Sequence, residues 1–406
     1  MKTRNISYIT NTVIFFLLIS IGFVTVVICP ADKKSSENEN RTLAEMPVFN
    51  CKNLLSGSFA SDFETYLTDN VGFRSSFTDM NMYYEDMKGI SYFGDIVKVK
   101  KDMGMESDDD GEHEMKSLLV LNDRILEIFE ENEDARKSYI DVLNFYADKI
   151  PENIRLYNLI IPTQIEFTNA WYSSASDSQK ETIDYIYSDI DERIQTIDVY
   201  DALKEHRNEY IYFRTDHHWT ALGAYYAVNE FLARTGKRRI DINNYTRNDL
   251  PGFFGFLYGQ AGTKKLEKNP DTISYYIKYE GENILINAKG YDAGEPVDYQ
   301  CNMFDLPDNE PPKYKVFLTG DHTFLHIETG SETGRSILII KDSYANAFIP
   351  WLRERYDHIY VIDPRTYKES LSDLFEEYDI DEVLIFNYSF TTTFEDYSEM
   401  LRDIYN

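Results

Sequence analysis

A series of short apolar, β-branched stretches separated by segments of helical spacing constrains the fold more than any other feature. "IRLYNLIIP" (154–162), "TIDVY" (196–200), "SILII" (336–340), "HIYVID" (358–363) and "DEVLIF" (381–386) alternate with stretches such as "EDARKSYIDVLNFYADKI" (133–150) and "SDSQKETIDYIYSDIDERI" (176–194). A strand apolar at successive positions is covered on both faces, as in a parallel sheet sandwiched by helices. The alternation therefore predicts a three-layer α/β domain with a mainly parallel sheet. From about 239 to 334 the rhythm is lost, and Gly, Pro and Asn surround β-like runs such as "TISYYIKY" and "ENILINA". We read this stretch as a β-rich insertion into one sheet rather than a second domain.

The chain begins differently. Lys2 and Arg4 precede "VIFFLLISIGFVTVVIC", an uncharged run over 13–29 just long enough as a helix to cross a bilayer core. The nearest approach to a cleavage site is the poor "CPA" at Cys29–Ala31, so an uncleaved transmembrane anchor is favoured, with residues 1–12 cytoplasmic. The remainder of the chain would then be extracytoplasmic. Residues 30–90 read as a polar stalk and membrane-proximal helices, with two helices between Phe59 and Met87 broken at Asn70–Gly72. Residues 91–406 form the α/β domain.

With 41 basic and 70 acidic residues the net charge is −29, and the basic residues are scattered along the sequence. Such a field repels phosphate backbones and argues against nucleic acid as a partner. Only Cys51 and Cys301 lie outside the apolar run, which excludes a disulfide scaffold or a cysteine metal site and leaves a single bridge open. The acidic "MESDDDGEHE" (105–114) lacks EF-hand spacing and reads as an exposed loop or hairpin tip.

Two stretches carry chemistry. The run Ile337–Ile340 ends in Lys341-Asp342-Ser343, and a helix is predicted to follow. A serine there sits at the carboxyl edge of a parallel sheet, where open α/β folds bind ligands and where N–H groups of the following turn can meet an oxyanion. Equally, Asp342 or Ser343 could merely cap the helix. The second stretch is "RTDHHWTALGAYYAV" (214–228). In an extended segment Asp216 and His218 share a side while His217 points away, which lets the carboxylate fix the imidazole tautomer and leave the other ring nitrogen as a base. A metal site would want a third spaced ligand, which His322 and His326 could supply, though without recognisable spacing to the pair. A polar turn with packed histidines is the remaining reading. Thr220 is the expected cap of the next helix.

"DHHW" followed by a helix, with "DSYANAF" closing a downstream strand, resembles the DHHW-motif proteins, relatives of the alginate O-acetyltransferase group with a permuted SGNH-hydrolase fold. "ENRTLAEMP" (Glu39–Pro47) and "YLTDNVGFRSSF" (Tyr66–Phe77) are similar to that group's membrane-proximal segment. The resemblance implies an anchored extracytoplasmic O-acetyltransferase that acts on a cell-surface glycan and receives acetyl groups through a membrane-embedded acyl-transporting partner. It implies Ser343 as nucleophile, His218 as general base and Asp216 as its orienting carboxylate, with no cofactor and no metal. By the same resemblance Asn387 is placed in the oxyanion hole, with a turn-forming Asn after a strand as the alternative, Arg365 is placed at the acceptor or the oxyanion, or equally in a surface salt bridge, and Trp219 at the substrate. One position departs from the pattern: Lys341 stands where the family motif has glycine. An acetyl-esterase, or a non-catalytic glycan-binding or assembly protein of the same fold, remains an alternative. "GFFGFLYGQAG" (Gly252–Gly262) offers either a flexible aromatic lip for sugar or a turn with core aromatics.

Overall fold

The computed structural model describes residues 115–405 apart from 293, 294 and 309, together with 14–17, 35–36, 41–42, 46–47, 49, 58–69 and 95–100. The chain divides into two compact units, residues 1–92 with 258–265, and residues 93–257 with 266–406. In the first, a helix spans Ser58–Asp69. The second helix expected before Met87 and the acidic run 105–114 lie outside the described residues. So does the anchor expected over 13–29, apart from a helical turn at 14–17. Among the described residues no helix is long and apolar enough to cross a membrane.

The larger unit opens with a three-stranded antiparallel sheet of β1 (Asp95–Lys100), β2 (Met115–Val120) and β3 (Ile125–Glu127). Then come α1 (Glu133–Lys149), β4 (Arg155–Ile161), α2 (Gln179–Asp189), β5 (Ile194–Thr196) and α3 (Ala221–Arg234). β6 (Thr246–Phe253) and β7 (Asp271–Ile277) pair as an antiparallel ribbon. They are followed by β8 (Leu285–Asp292), β9 (Glu295–Asn302), β10 (Phe324–Glu328), β11 (Ser336–Lys341) and β12 (His358–Ile362). The chain closes with α4 (Leu371–Glu377), β13 (Glu382–Tyr388) and α5 (Glu395–Asp403).

The main sheet has the order β9-β8-β10-β12-β11-β13-β4-β5. β12, β11, β13, β4 and β5 are parallel, while β10, β8 and β9 add on antiparallel beside β12. The expectation of a mainly parallel sheet is thus corrected to a mixed one. Three strands of the stretch read as an insertion pair into the same sheet: β8 and β9 form a hairpin, and β10 lies antiparallel between β8 and β12.

Alternation along β11 shows how the layers form. Ile337 and Ile339 join one apolar core with Ala224, Val228 and Phe231 of α3, whereas Leu338 and Ile340 join another with Tyr139 and Leu143 of α1 and Leu374 and Leu401 of α4 and α5. Successive side chains of a strand point to opposite faces, so a run apolar at every position is buried on both. α1 begins where Asn132 accepts hydrogen bonds from the N–H groups of Asp134 and Ala135.

The helix predicted after Ser343 is instead a pair of 3-10 turns, Ser343–Ala347 and Ile349–Glu354, the second carrying Pro350 in its first turn. Proline supplies no N–H and disfavours the α conformation of its predecessor, so a continuous α-helix through Phe348–Pro350 would lose a bond and clash.

Candidate active site

The segment bearing the two histidines is a loop folded back on itself rather than an extended strand. Tyr212 and Trp219 form an antiparallel bridge, the Phe213 N–H donates to the His218 carbonyl at 3.2 Å, and the Thr220 N–H donates to the Ile211 carbonyl at 2.9 Å. Thr220 then caps α3, its hydroxyl accepting from the Gly223 N–H at 3.3 Å. Asp271 of β7 ties the loop down, accepting from the Arg214 and Thr215 N–H groups at 3.0 and 2.7 Å.

Within this loop Asp216 Oδ1 accepts from the His218 N–H at 2.9 Å and lies 2.6 Å from His218 Nδ1. Asp216 Oδ2 accepts from the Phe256 N–H at 2.8 Å. Burial alone would push this carboxyl up, but the neighbouring His218 and His217 charges and the hydrogen bonds from His218 hold it well below its ordinary value. It is therefore held as an anion at neutral pH. With Nδ1–H donated to Asp216, Nε2 of His218 carries the lone pair, and it faces Ser343 Oγ at 2.8 Å. The loop and the end of β11 thus bring Asp216, His218 and Ser343 into one hydrogen-bonded line across 125 residues of sequence.

Aromatic rings close round the line. The Tyr314 ring stacks on the His218 imidazole with centroids 3.7 Å apart and planes 11° from parallel. Tyr344 and Tyr388 stack on each other at 4.8 Å, and the Tyr344 hydroxyl donates to the His217 carbonyl. Ser343 itself is half-buried.

His217 does not point away as the two-residue spacing predicts. Its ring lies 3.9 Å from that of His218, and its Nδ1 is 3.8 Å from Asp216 Oδ1. The loop is bent, so the alternation of an extended strand does not apply. Asp216, His217 and His218 could each offer a ligand atom within 4.8 Å of the others. However, the two Asp216 oxygens already receive N–H bonds and His218 Nε2 is turned to Ser343, so a metal would have to break that line. His322 and His326 do not join the group: His322 lies against Leu318 O and the Tyr299 hydroxyl, and His326 Nε2 lies 3.1 Å from His358 Nδ1.

The residue read into the oxyanion hole and the two read as substrate contacts are engaged elsewhere. Trp219 is fully buried and donates its indole N–H to the Tyr344 carbonyl at 2.9 Å, which makes it a strut between the loop and the serine turn. Asn387 donates to the Tyr397 hydroxyl at 2.6 Å and to Asp342 Oδ2 at 3.3 Å, and accepts from the Tyr139 hydroxyl at 2.8 Å. Both amide hydrogens are thereby used, leaving none for an oxyanion. Arg365 is buried against Asp321 at 2.8 Å and Asp363, also at 2.8 Å. The same cluster takes Lys341, only 1% exposed, whose ammonium meets Asp321 at 2.5 Å and lies 3.8 Å from Asp363. Lys341 therefore does not crowd the serine turn; its side chain runs into a cluster of two cations and two carboxylates.

Two supports escape a reading of the motif alone. Asp342 is buried and accepts from the Tyr344 N–H at 2.9 Å and the Tyr388 N–H at 2.8 Å, which clamps the serine turn to the end of β13. Burial raises its carboxyl to about 6 against the pull of those N–H groups. The other is Gly255, the second glycine of "GFFG". A Cβ there would lie 2.3 Å from Asp216 Oδ2, so only glycine lets the backbone pass close enough for the Phe256 N–H to reach the carboxylate. Cys301 is a buried free thiol, and Cys51 lies outside the described residues.

Among curated proteins no sequence matches the chain. In solved structures, a DHHW family protein from Eubacterium siraeum is similar at 26% identity, covering 72% of this chain and 96% of its own, with a TM-score of 0.63. PatB1 from Bacillus cereus is similar in fold at 20% identity, covering 70% and 99%, with a TM-score of 0.60. PatB1 with a sulfonyl adduct gives 19% identity, 70% and 98% coverage, and a TM-score of 0.57. The profile of the DHHW protein family matches residues 92–362, more than half of the chain and the whole of the loop and serine turn, and the protein belongs to that family.

Proposed function

We propose that the protein is an O-acetyltransferase of permuted SGNH-hydrolase type that carries an acetyl group on Ser343 and passes it to a hydroxyl of a cell-surface glycan. The observation that carries this reading is the unbroken line from Asp216 through His218 to Ser343 Oγ. As Oγ attacks the acetyl carbonyl, His218 Nε2 takes its proton, and the resulting imidazolium is stabilised by the Asp216 anion. The proton goes to the departing donor oxygen. In the second half a sugar hydroxyl gives its proton to Nε2 and attacks the acyl carbon, and Ser343 Oγ leaves with that proton. With Asn387 occupied, the oxyanion donors are N–H groups at the start of the 3-10 turn, that of Ser343 first.

Transfer rather than hydrolysis is favoured by the aromatic surround of a half-buried serine, which limits access of water to the acyl group. We further propose an N-terminal anchor over 13–29 that holds the domain outside the cell, and a multi-spanning membrane partner that delivers the acetyl group. The test is incubation with an activated acetyl ester, with and without neutral oligosaccharide. The reading predicts acetyl on the Ser343 peptide by mass spectrometry and its release onto sugar; free acetate at a rate indifferent to sugar would make the protein an esterase, and no acetyl-peptide at all would remove the catalytic reading.

A further inference from the structure

Basic residues that are scattered in the sequence are gathered by the fold at one pole. Arg155 opens β4, Arg335 immediately precedes β11, and Arg355 lies three residues before β12, so all three sit at the amino edge of the parallel strands. Lys237 comes to the same edge, because it pairs with Glu382, the first residue of β13, at 2.7 Å. Ser343 follows the opposite, carboxyl end of β11. Six residues of strand separate the two edges by about 20 Å.

At the amino edge lies a cavity of about 480 Å³. Four cations line it, Arg238, Arg239, Lys278 and Arg355, against two carboxylates, Asp241 and Glu354. Both carboxylates are committed. Asp241 Oδ1 accepts from the Asn243 N–H and side-chain amide at 3.0 and 2.9 Å. Glu354 takes the Lys278 ammonium and the Tyr245 hydroxyl, and these partners outweigh burial to hold it below its ordinary carboxyl value.

Lys278 and Arg355 share one carboxylate of the cavity, Glu354, with Arg355 Nη1 3.6 Å from Glu354 Oε2, and the other two cations take none from its lining. Arg238 has no carboxylate within ion-pair distance among the described residues, and Arg239 reaches only Glu230 at 3.5 Å with a largely exposed side chain. Arg355 is pinned mainly by backbone: Nε donates to the Arg238 carbonyl at 2.9 Å, Nη1 to the Glu354 carbonyl at 3.0 Å and Nη2 to the Arg239 carbonyl at 3.4 Å, with the Glu354 carboxylate 3.6 Å from Nη1. A guanidinium held this way is preorganised, and the second N–H group on each Nη is left to meet an anion at little entropic cost. In a chain of net charge −29, an excess of two positive charges in one cavity is a local inversion of the field.

We propose that this cavity binds a phosphate ester, with the oxyanion held by Arg238, Arg239 and Arg355. Guanidinium forks match the oxygens of phosphate, and an excess of two charges matches a phosphate group better than a single carboxylate. The volume exceeds that of the anion alone, and Ile240 and Tyr245 on the wall offer apolar and ring surface to the esterified group. The ester is either a soluble one or the headgroup of an anionic lipid. The site acts independently of Ser343 chemistry and on the opposite edge, so a bound ester leaves the catalytic line open.

The test uses the full chain in detergent. Calorimetric titration with glycerol phosphate is compared with titration of gluconate, and sedimentation with phosphatidylglycerol vesicles is compared with phosphatidylcholine vesicles. Arg238→Ala with Arg239→Ala removes two exposed side chains and should preserve the fold and acetyl-ester turnover. We expect glycerol phosphate to bind in preference to gluconate, more weakly as salt rises, and at least about tenfold more weakly in the double variant. Vesicle binding with the same dependence, displaced by glycerol phosphate, assigns the lipid source; binding of the free ester alone assigns the soluble one. Equal binding by wild type and variant, or no preference for phosphate over gluconate and for phosphatidylglycerol over phosphatidylcholine, overturns the proposal.

Discussion

Replacing Gly255 by alanine tests whether the Asp216 carboxylate is placed by backbone proximity. The new Cβ would lie 2.2 Å from Asp216 Cβ, 2.3 Å from Oδ2 and 2.6 Å from Cγ, where ordinary contact begins near 3.4 Å. Asp216 must therefore withdraw by about 1 Å, which breaks the 2.8 Å bond from the Phe256 N–H and disturbs the 2.6 Å contact to His218. Overpacking of this kind costs about 1–3 kcal/mol of stability, a fraction of the roughly 5–15 kcal/mol of a folded domain, so nearly all molecules stay folded. The effect on catalysis is larger. Misplacement by about 1 Å costs on the order of 10²-fold, and loss of the orienting carboxylate on the order of 10⁴-fold, which bracket the expected fall in kcat. Turnover of an acetyl ester and the rate of Ser343 labelling by a sulfonyl fluoride should fall together, with the circular dichroism spectrum unchanged. Gly252→Ala is the control: its φ of +94° makes alanine strained, yet its Cβ would meet nothing within 4 Å. It should lower the melting temperature with little change in kcat. A Gly255→Ala enzyme within about threefold of wild type would refute the argument from proximity.

Asp342 predicts a pH effect. Its folded pKa of about 6 lies above the ordinary value of 3.8, so the folded state holds the proton more tightly and this group's contribution to stability is lost as pH rises from about 4 through 6. Asp342→Asn removes that dependence, and denaturant midpoints should show the variant gaining on wild type by on the order of 3 kcal/mol between pH 4 and 7; parallel curves would contradict it. Lys341→Met should destabilise by about 3–5 kcal/mol in urea, since it leaves Asp321 and the buried Asp363 to Arg365 alone, and adding Asp321→Asn should recover part of the loss. Trp219→Phe removes the shorter of two donors to the Tyr344 carbonyl, leaving the Tyr314 hydroxyl at 3.4 Å, and should cost about 1 kcal/mol, while an acetyl-ester KM that stays unchanged would agree with its burial away from substrate.

The layers were legible because burial on both faces leaves a mark in every residue of a strand: Ile337 to Ile340 reads as a central strand without knowledge of its neighbours. Direction left no such mark. β8, β9 and β10 are β-like runs whose sequence does not say which way they run beside their neighbours. The serine turn shows the same limit, since the spacing of "SYANAFIPWL" suits an amphipathic helix and Pro350 alone marks the 3-10 geometry.

At the site, residue types were legible and environments were not. Asp216 and His218 lie close in sequence, and their contact survives the bend of the loop because a carboxylate two residues from a ring can reach it in either conformation. His217 does not share that tolerance, which is why an argument from alternation places it wrongly. Asn387, Arg365 and Trp219 are types that bind substrates when exposed and build frameworks when buried, and burial is set by residues far away: Tyr139 and Tyr397 for the asparagine, Asp321 and Asp363 for the arginine, the serine turn for the tryptophan. Lys341 reverses the case. It reads as an obstruction beside Ser343 because sequence shows only its volume. Asp321, twenty residues away, gives its charge a partner on the far side of the strand, and the turn bearing Ser343 is held through the same carboxylate, which accepts from Asn346 at 2.8 Å. The buried charge of Lys341 depends on that acidic partner, which makes the two positions a single feature of this chain.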